Sequence, residues 1–190
     1  MELLGIGAEA SVYRQDSKVI KKRTRKNYRL KQLDDKLLQS RTKKEAKILK
    51  KLEDIAPKLF SFSNHTIEME YLKGDLVRNI LDKKPQIISS IAKTITILHN
   101  KNIAHGDLTT GNMMLVEKEI KLIDFGLSKT TLKIEDKAVD LHIFKQSLIS
   151  KHHGVYQQIW GKFLEEYKPV DKKEILKRFA EVESRGKNKK

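Results

Sequence analysis

Two short segments in the second half of the chain constrain its fold and chemistry more than any other feature. They are His105-Gly106-Asp107-Leu108-Thr109-Thr110-Gly111-Asn112 and Ile123-Asp124-Phe125-Gly126, and Asp124 follows Asp107 by 17 residues. An aspartate after a buried strand can bind a divalent cation, and an asparagine can offer a neutral oxygen to a second one. A carboxylate close to both can orient an acceptor hydroxyl or water, which completes what phosphoryl transfer needs. The alternative is that the two aspartates only form turns beside glycines. The joint order and spacing of the two segments favour a catalytic role instead.

In this order and spacing the two segments resemble the catalytic loop and the metal-binding loop of the protein-kinase-like fold. The resemblance implies an α+β, minimal two-lobe protein-kinase-like fold. Residues 1–72 would form the smaller lobe, with a glycine loop, a β-sheet and an αC-type helix. Residues 73–190 would form a reduced, mostly helical lobe that ends in a basic tail. ATP and Mg²⁺ are the implied cofactors, with Asp107 orienting the acceptor and Asn112 and Asp124 holding the metal.

The resemblance extends to the glycine-rich N-terminal segment. Gly5-Ile6-Gly7-Ala8-Glu9-Ala10-Ser11-Val12 follows the glycine-loop pattern, except that Ala10 replaces the third glycine. Glycine lets a backbone approach phosphates closely, so residues 5–10 would bind the ATP phosphates and Val12 would cover the adenine. A simple hairpin turn would have the same two glycines. Lys21, after Val19-Ile20, would pair with the phosphates, and a surface lysine in a basic run is the alternative.

Glu45 is the glutamate that would align Lys21. The run Thr42-x-x-Glu45 also fits a capping box at a helix start, which is a competing interpretation. We favour the ion pair because Glu45 is the only acidic residue between Asp35 and Glu53.

Further positions are assigned by the same resemblance. Met69 would be the gatekeeper, and the backbone of Glu70 and Leu72 would bind the adenine edge. Asp140 would be a buried helix aspartate that hydrogen-bonds the catalytic-loop backbone. We expect His105 to be a packed, hydrogen-bonded residue rather than a base, and the pair His152-His153 to lie at the surface.

A more specific resemblance rests on motifs spread over nearly the whole chain. They are Gly7-Ala8-Glu9-Ala10, His105-Gly106-Asp107-Leu108-Thr109-Thr110-x-Asn112, Ile123-Asp124-Phe125-Gly126-Leu127-Ser128, Glu135-Asp136-Lys137-x-Val139-Asp140-Leu141 and the terminal Glu183-x-Arg185-Gly186-Lys187. Together they resemble the small atypical serine/threonine kinase of the KEOPS (EKC) complex, the PRPK family. The resemblance implies ATP hydrolysis and autophosphorylation in support of threonylcarbamoyladenosine synthesis on tRNA. The implied partners are the threonylcarbamoyltransferase subunit, a small regulatory subunit and tRNA.

The chain departs from ordinary protein kinases at three points. His105-Gly106-Asp107 lacks the arginine that would grip an activation-loop phosphate, which argues against control by loop phosphorylation. Thr109 stands where serine/threonine kinases have a lysine. Only 15 residues separate Asp124 from Asp140, and they contain no Ala-Pro-Glu motif. We therefore expect poor docking of free peptides, and water, a hydroxyl of the chain itself or a bound partner as the acceptor.

The charge distribution points to a polyanionic partner. The chain of 190 residues has 40 Lys+Arg against 25 Asp+Glu, a net charge of +15. Residues 21–51 hold 14 basic and three acidic residues, and residues 184–190 add four basic ones. Such segments can contact RNA phosphates, although lysines on a solvated helix face are the alternative. The predicted RNA or partner contacts are Arg23, Arg25, Lys26, Arg185, Lys187, Lys189 and Lys190.

Composition and periodicity complete the expectations. The chain has no cysteine, which excludes a disulfide scaffold and cysteine-bound metal. We expect no signal peptide and no membrane span, and hence a cytosolic protein. The pattern predicts helices over 27–39, 42–52, 86–100, 137–150, 155–167 and 172–183, and a hairpin of Met113–Val116 with Ile120–Ile123.

Two other functions remain open from the sequence. Small-molecule phosphotransferases also use His-Gly-Asp with an asparagine five residues on, but the chain is short for an acceptor pocket. A non-catalytic RNA-binding scaffold with a kinase fold is the second alternative. Lys21, Asp107, Asn112 and Asp124 are all present, which argues against it.

Overall fold

The computed structural model describes residues 1–7, 9–26 and 30–187, without the side chains of residues 186 and 187. Within it the chain divides into two compact units, Met1–Lys73 and Gly74–Lys190. The sequence analysis puts the boundary one residue earlier. Of the predicted site residues, Ala8, Lys189 and Lys190 lie outside the described residues, as does the side chain of Lys187.

The first unit is an antiparallel sheet with one long helix. Its elements are β1 (Glu2–Ile6), β2 (Ala10–Gln15), β3 (Lys18–Arg23), α1 (Lys31–Lys51), β4 (Leu59–Phe62) and β5 (Thr66–Glu70). The strand order is β1-β2-β3-β5-β4. Leu38, Ala46 and Leu49 recur at helical spacing on α1 and are buried, as are Val19 and Ile67 of the sheet. Their burial packs one face of α1 against the strands.

The two helices predicted over 27–39 and 42–52 are wrong as separate elements. One continuous helix, α1, spans Lys31–Lys51, and residues 27–29 lie outside the described part. No glycine or proline interrupts this stretch, so nothing in it breaks the backbone hydrogen-bond ladder. Thr42 lies inside the helix, where its hydroxyl donates to the carbonyl of Leu38 at 2.8 Å. The capping-box interpretation of Thr42 is therefore excluded.

The second unit is mostly helical. Its elements are β6 (Asp75–Leu76), α2 (Val77–Ile80), α3 (Ile88–Asn100), β7 (Ile103–Ala104), β8 (Met113–Val116), β9 (Glu119–Leu122), β10 (Lys129–Thr130), α4 (Ile134–Lys151), α5 (Tyr156–Glu166) and α6 (Lys172–Lys187), with short 3₁₀ turns at Pro85–Ile87 and Thr110–Asn112. Strands β6, β8 and β9 form one small sheet, and β7 and β10 pair separately. The predicted hairpin of β8 and β9 is confirmed.

The core of the second unit is aromatic and aliphatic. Phe144, Phe163 and Tyr167 are fully buried together with Leu98 and Leu122. The Phe163 ring lies 5.0 Å from Phe144 and 5.3 Å from Tyr167, centroid to centroid. This packing joins α4 and α5.

The last helix is longer than predicted. It continues past Glu183 to Lys187, so part of the stretch expected to be a tail is helical. Glu183 holds Lys145 at 2.5 Å and bonds His142, and Arg185 contacts Glu135 of α4 at 2.9 Å. Burial opposes ionisation of Glu183, but the hydrogen bonds from Lys145 and His142 outweigh it and hold its pKa below the ordinary value. These contacts attach α6 to α4.

Within the described part of the chain, no helix has both the length and the apolar character that a membrane span requires.

Candidate active site

Lys21 and Glu45 form a buried ion pair in the first unit. The Lys21 Nζ lies 2.7 Å from Glu45 Oε1, and the two side chains are 8% and 2% exposed. Lys21 is fixed by its place on β3, and Glu45 by the buried face of α1. The geometry favours the predicted ion pair over the alternative of a surface lysine.

The pair belongs to a larger charge network. Arg23, two residues after Lys21 on β3, binds the second oxygen of Glu45 and lies 3.5 Å from Glu9. Glu9 in turn binds Arg41 of α1. The network connects the turn after β1 to both β3 and α1. It also means that the carboxylate of Glu9, predicted to face ATP, contacts two arginines.

Arg23 is a correction to the predicted RNA contacts. Its side chain is 2% exposed because both of its carboxylate partners lie within the unit. Arg25 is half exposed and pairs with Asp35 at 2.9 Å, and Arg185 is largely exposed beside Glu135. The backbone N–H of Lys26 donates to Asp34 at 3.2 Å. A buried guanidinium cannot reach RNA, so Arg23 supports the fold instead.

The strand register brings other predicted nucleotide-binding residues to one face of the sheet. Val12 lies opposite Lys21, and Met69 lies opposite Val19, two residues away along β3. Directly opposed residues of antiparallel strands share a face, as do positions i and i+2 of one strand. Val12, Lys21 and Met69 therefore share the same face of the sheet.

The structure also gives the contacts at the end of β5 and in the glycine turn between β1 and β2. The Glu70 N–H donates to the carbonyl of Lys58 at 2.9 Å, and the Leu72 side chain is buried. Gly7 N–H donates to the Ala10 carbonyl at 2.8 Å, and a Cβ on Gly5 would meet nothing within 4 Å. Ile6 is exposed and Ala10 is buried. Packing inside the unit does not require glycine at position 5.

In the second unit Asp140 of α4 holds the loop that follows β7. One carboxylate oxygen accepts the His105 N–H at 2.6 Å and the other accepts the Gly106 N–H at 2.8 Å. The Asp140 side chain is completely buried, and His99 lies 3.3 Å away. The predicted role of Asp140 in holding the loop backbone is confirmed. Gly106 has φ +81°, and a Cβ there would lie 2.6 Å from the Leu127 carbonyl oxygen, so only glycine fits.

Asp107, Asn112 and Asp124 are brought together by this loop and β9. The Asn112 Nδ2 donates to both the carbonyl and the Oδ2 of Asp107, each at 2.8 Å. Ile123 N–H donates to the Asn112 carbonyl at 3.0 Å, which sets Asp124 beside it in the next position of the chain. Asp124 has φ 62° and its Oδ1 accepts the Gly126 N–H at 3.2 Å. A non-glycine residue in this strained region is typical of functional sites.

His105 is buried and hydrogen-bonded, as predicted. Its Nδ1 accepts the Asp107 N–H at 3.3 Å, so Nε2 carries the proton and donates to the Ile123 carbonyl at 3.2 Å. Its ring lies 5.0 Å from that of Phe125. Burial lowers the pKa of His105 below its ordinary value, although nearby carboxylates such as Asp140 partly oppose this. The neutral imidazole acts as a spacer between the two loops.

The residues could hold a divalent metal with oxygen ligands. A carboxylate and an amide oxygen suit Mg²⁺, which keeps several waters and binds substrate phosphates as well. Because Nδ2 of Asn112 faces Asp107, its Oδ1 is the atom suited to a metal. Among the described residues no group of three or more histidine or acidic side chains forms a metal site by itself.

Comparisons with known proteins decide the family. Residues 1–146 match the protein kinase domain. The chain is 37% identical to the EKC/KEOPS complex subunit BUD32 of Enterocytozoon bieneusi, over 98% of each protein. It is 33% identical to the KEOPS complex subunit Bud32 of Pyrococcus abyssi, over 98% of this chain and 96% of that one. The chain belongs to the Bud32 family of kinases. The predicted family, kinase-like α+β fold and class of enzyme, an ATP-dependent kinase, are confirmed.

A second kind of relative is longer. The chain is 38% identical to a probable bifunctional tRNA threonylcarbamoyladenosine biosynthesis protein of Methanocaldococcus jannaschii. That match covers 97% of this chain but 36% of the relative, so the chain spans about a third of that protein.

Sequence reasoning missed one buried histidine. His152 was expected at the surface beside His153, but it is 1% exposed and hydrogen-bonded to Asp82 and Thr110. A signal existed in the sequence. Phe144 and Leu148 are buried on α4, and position 152 continues that face one turn further.

Proposed function

We propose that the chain is the atypical serine/threonine kinase and ATPase subunit of a KEOPS complex. In this role it hydrolyses Mg-ATP, and phosphorylates itself, to support threonylcarbamoyladenosine synthesis on tRNA. The observation that carries the proposal is the loop in which Asn112 binds Asp107 directly while Asp140 holds the backbone. The KEOPS names of the Bud32 relatives support the biological role.

The first unit supplies the proposed nucleotide contacts. Lys21, aligned by Glu45, binds the phosphates, and the backbone of residues 5–10 lies against them. The shared face of Val12 and Met69 supports an adenine site there. The Glu70 N–H already donates to Lys58, so Glu70 would use its carbonyl, with the Leu72 backbone beside it.

The second unit supplies the proposed metal and acceptor groups. Asn112 and Asp124 hold Mg²⁺, which neutralises phosphate charge when it is bound. Asp107 accepts a hydrogen bond from Asn112 through one carboxylate oxygen, which fixes the carboxylate to orient a water or a hydroxyl. Burial lowers the pKa of His105, which favours the neutral imidazole beside Asp107.

The acceptor is water, a hydroxyl of the chain itself or a residue of a bound partner. The segment after Asp124 is short and held to the body of the unit. Lys129 and Thr130 pair with β7, and the Thr131 N–H donates to the Asn102 carbonyl at 2.8 Å. A segment fixed in this way supports ATP hydrolysis better than recognition of free peptides.

The proposed partners are the threonylcarbamoyltransferase subunit, the small regulatory subunit and tRNA, in the cytoplasm. Exposed cations supply the tRNA contacts through phosphate neutralisation. Arg25 and Arg185 are the described candidates whose side chains are more than half exposed. Lys26, Lys187, Lys189 and Lys190 belong to the same two basic segments.

The test is Mg²⁺-dependent phosphate release from ATP by the full chain, with and without the transferase subunit and tRNA. Asp124→Ala and Asp107→Ala should abolish release, and Glu174→Gln, an exposed change on α6, should leave it unaltered. Release that needs Asp124 and rises with tRNA or the partner supports the proposal. ATP binding without release under all conditions would contradict it and leave a scaffold as the function.

A further inference from the structure

A hydrogen-bonded chain in the second unit leads from solvent to the turn that carries Asn112. His152, just after α4, has its Nδ1 2.6 Å from Asp82 Oδ1 and its Nε2 3.1 Å from Thr110 Oγ1. The Thr110 N–H donates to Ser147 Oγ at 3.0 Å, and the two hydroxyls are 3.1 Å apart. His152 and Thr110 are each 1% exposed, whereas the Asp82 side chain is 58% exposed.

The chemistry of these groups allows one consistent set of donors and acceptors. A carboxylate only accepts, so Nδ1 of His152 donates to Asp82. With the ring proton on Nδ1, Nε2 can accept the Thr110 hydroxyl proton. Ser147 accepts the Thr110 N–H and can donate its own hydroxyl to Thr110 Oγ1. All four groups are satisfied by one arrangement, with His152 as the Nδ1–H tautomer.

The inner end of this chain lies next to the proposed metal ligand. Thr110 begins the 3₁₀ turn that ends at Asn112, and the Asn112 N–H donates to the Thr109 carbonyl at 3.0 Å. The Asn112 side chain then reaches Asp107. Any rotation of the turn about Thr110 would move the Asn112 amide relative to Asp107. Ser147 of α4 contacts both the N–H and the hydroxyl of Thr110, and His152 contacts the same hydroxyl.

We propose that His152 is a positioning residue for phosphoryl transfer. It fixes Thr110 and through the turn sets the Asn112 amide for metal binding, while Asp82 fixes the tautomer of His152. The inference rests on the proposed function, since Asn112 holds a metal only if the chain uses Mg-ATP. Outer groups of this kind typically change metal affinity or activity by about 10–100-fold when removed.

A pair of substitutions separates the two ends of the imidazole. In His152→Asn the amide can replace the Nδ1 contact with Asp82 but is too short for Thr110. In His152→Gln the longer side chain can present an oxygen where Nε2 accepts the Thr110 hydroxyl. Thr110→Val removes the same hydrogen bond from the other side at nearly constant volume. His153→Asn, at the exposed neighbour, is the matched control.

The first measurement is ATP turnover of the full chain as a function of Mg²⁺ and of ATP. We expect H152N and T110V to lower kcat and to raise the Mg²⁺ concentration for half-maximal rate by about 10-fold, with KM for ATP within about two-fold. H152Q should restore most of the loss and H153N should match the wild type. Equal losses in H152N and H152Q with unchanged Mg²⁺ dependence would overturn the proposal, because they indicate a merely structural role.

The second measurement does not depend on turnover. ¹⁵N NMR of the full chain should find His152 as the Nδ1–H tautomer, and the Asn112 side-chain amide signals should shift in H152N but not in H152Q. An Nε2–H tautomer, or Asn112 signals that ignore both substitutions, would overturn the inference. If the wild type and Asp124→Ala both release no phosphate, the proposed function fails, and the NMR result still decides the link from His152 to Asn112.

Discussion

The two units hold their candidate functional residues by different physical means. In the first unit, full charges alternate through Lys21, Glu45, Arg23, Glu9 and Arg41. In the second, the loop after β7 is held by backbone N–H groups that donate to one buried carboxylate, Asp140.

This difference predicts which substitutions should destabilise each unit most. A buried charge network is strong only while it is complete, because removing one member leaves another ion desolvated and unpaired. A loop held by backbone hydrogen bonds depends instead on conformations that only certain residues adopt, such as Gly106 at φ +81°. Substitutions that remove a buried charge should therefore destabilise the first unit. Substitutions that add a side chain at a glycine of the loop should destabilise the second.

The largest effect is expected for Glu45→Ala. The change leaves the buried cations of Lys21 and Arg23 without their shared partner, which costs about 3–5 kcal/mol of stability. Urea unfolding measures the loss in the free energy of unfolding, and amide hydrogen exchange in β3 shows that the loss lies in the first unit. Glu53→Ala, an exposed acid just after α1, is the control and should change stability little. A loss below about 1 kcal/mol for Glu45→Ala would mean that the network is solvated and not buried.

The next effect in size is expected for Gly106→Ala. The new Cβ would meet the Leu127 carbonyl oxygen at 2.6 Å, and the residue would have to keep a positive φ, which together cost about 1–3 kcal/mol. Gly161→Ala is the matched control, because a Cβ there meets nothing within 4 Å and lies inside α5. That control should stabilise the chain by about 0.5–1 kcal/mol. Urea midpoints that move in the same direction for both variants would contradict the comparison.

Sequence reasoning could select the candidate residues of the site because the groups concerned have strict spacing. The structure shows that Asn112, five residues after Asp107, donates a hydrogen bond to its carboxylate. The hairpin of β8 and β9 was predictable because two short apolar runs flank the polar stretch Glu117-Lys118-Glu119. Lys21 could be chosen over Lys22 because it follows two apolar strand residues, and the structure buries Lys21 alone of the two.

What could not be predicted depends on contacts distant in the chain. Arg23 looked like an exposed member of a basic run, because nothing local indicates that Glu45 and Glu9 neutralise it. The histidine pair is similar, since the partners of His152 lie 70 and 42 residues away along the chain. The single helix α1 was missed for a different reason. Its apolar stripe is broken by basic residues, so the periodicity appeared to restart.

The third prediction concerns pH and the neutral spacer of the second unit. Because burial lowers the pKa of His105 in the folded chain, the unfolded chain binds the proton more tightly. The contribution of neutral His105 to the free energy of unfolding is therefore fully present above its ordinary pKa of 6.5. That contribution is lost as the pH falls from there toward the folded pKa. The free energy of unfolding, measured across this window for the wild type and His105→Asn, should fall less steeply in the variant. Equal slopes would mean that His105 titrates normally in the folded state. His153→Asn, at an exposed position, is the control for the substitution itself.

The smallest effect on stability is expected for Arg25→Ala, and it sharpens the contrast between two arginines near the end of β3. Arg25 is half exposed and forms one surface ion pair with Asp35, which contributes about 0–1 kcal/mol. Arg23→Ala, by contrast, should destabilise the unit strongly, because it leaves the carboxylates of Glu45 and Glu9 with less positive charge beside them.

If Arg25 contacts a tRNA phosphate, its removal should reduce the slope of log affinity against log salt by about 0.7–0.9. Binding titrations over a salt series measure that slope, and an unchanged slope would exclude Arg25 from the tRNA contact while leaving its role as a surface ion pair intact.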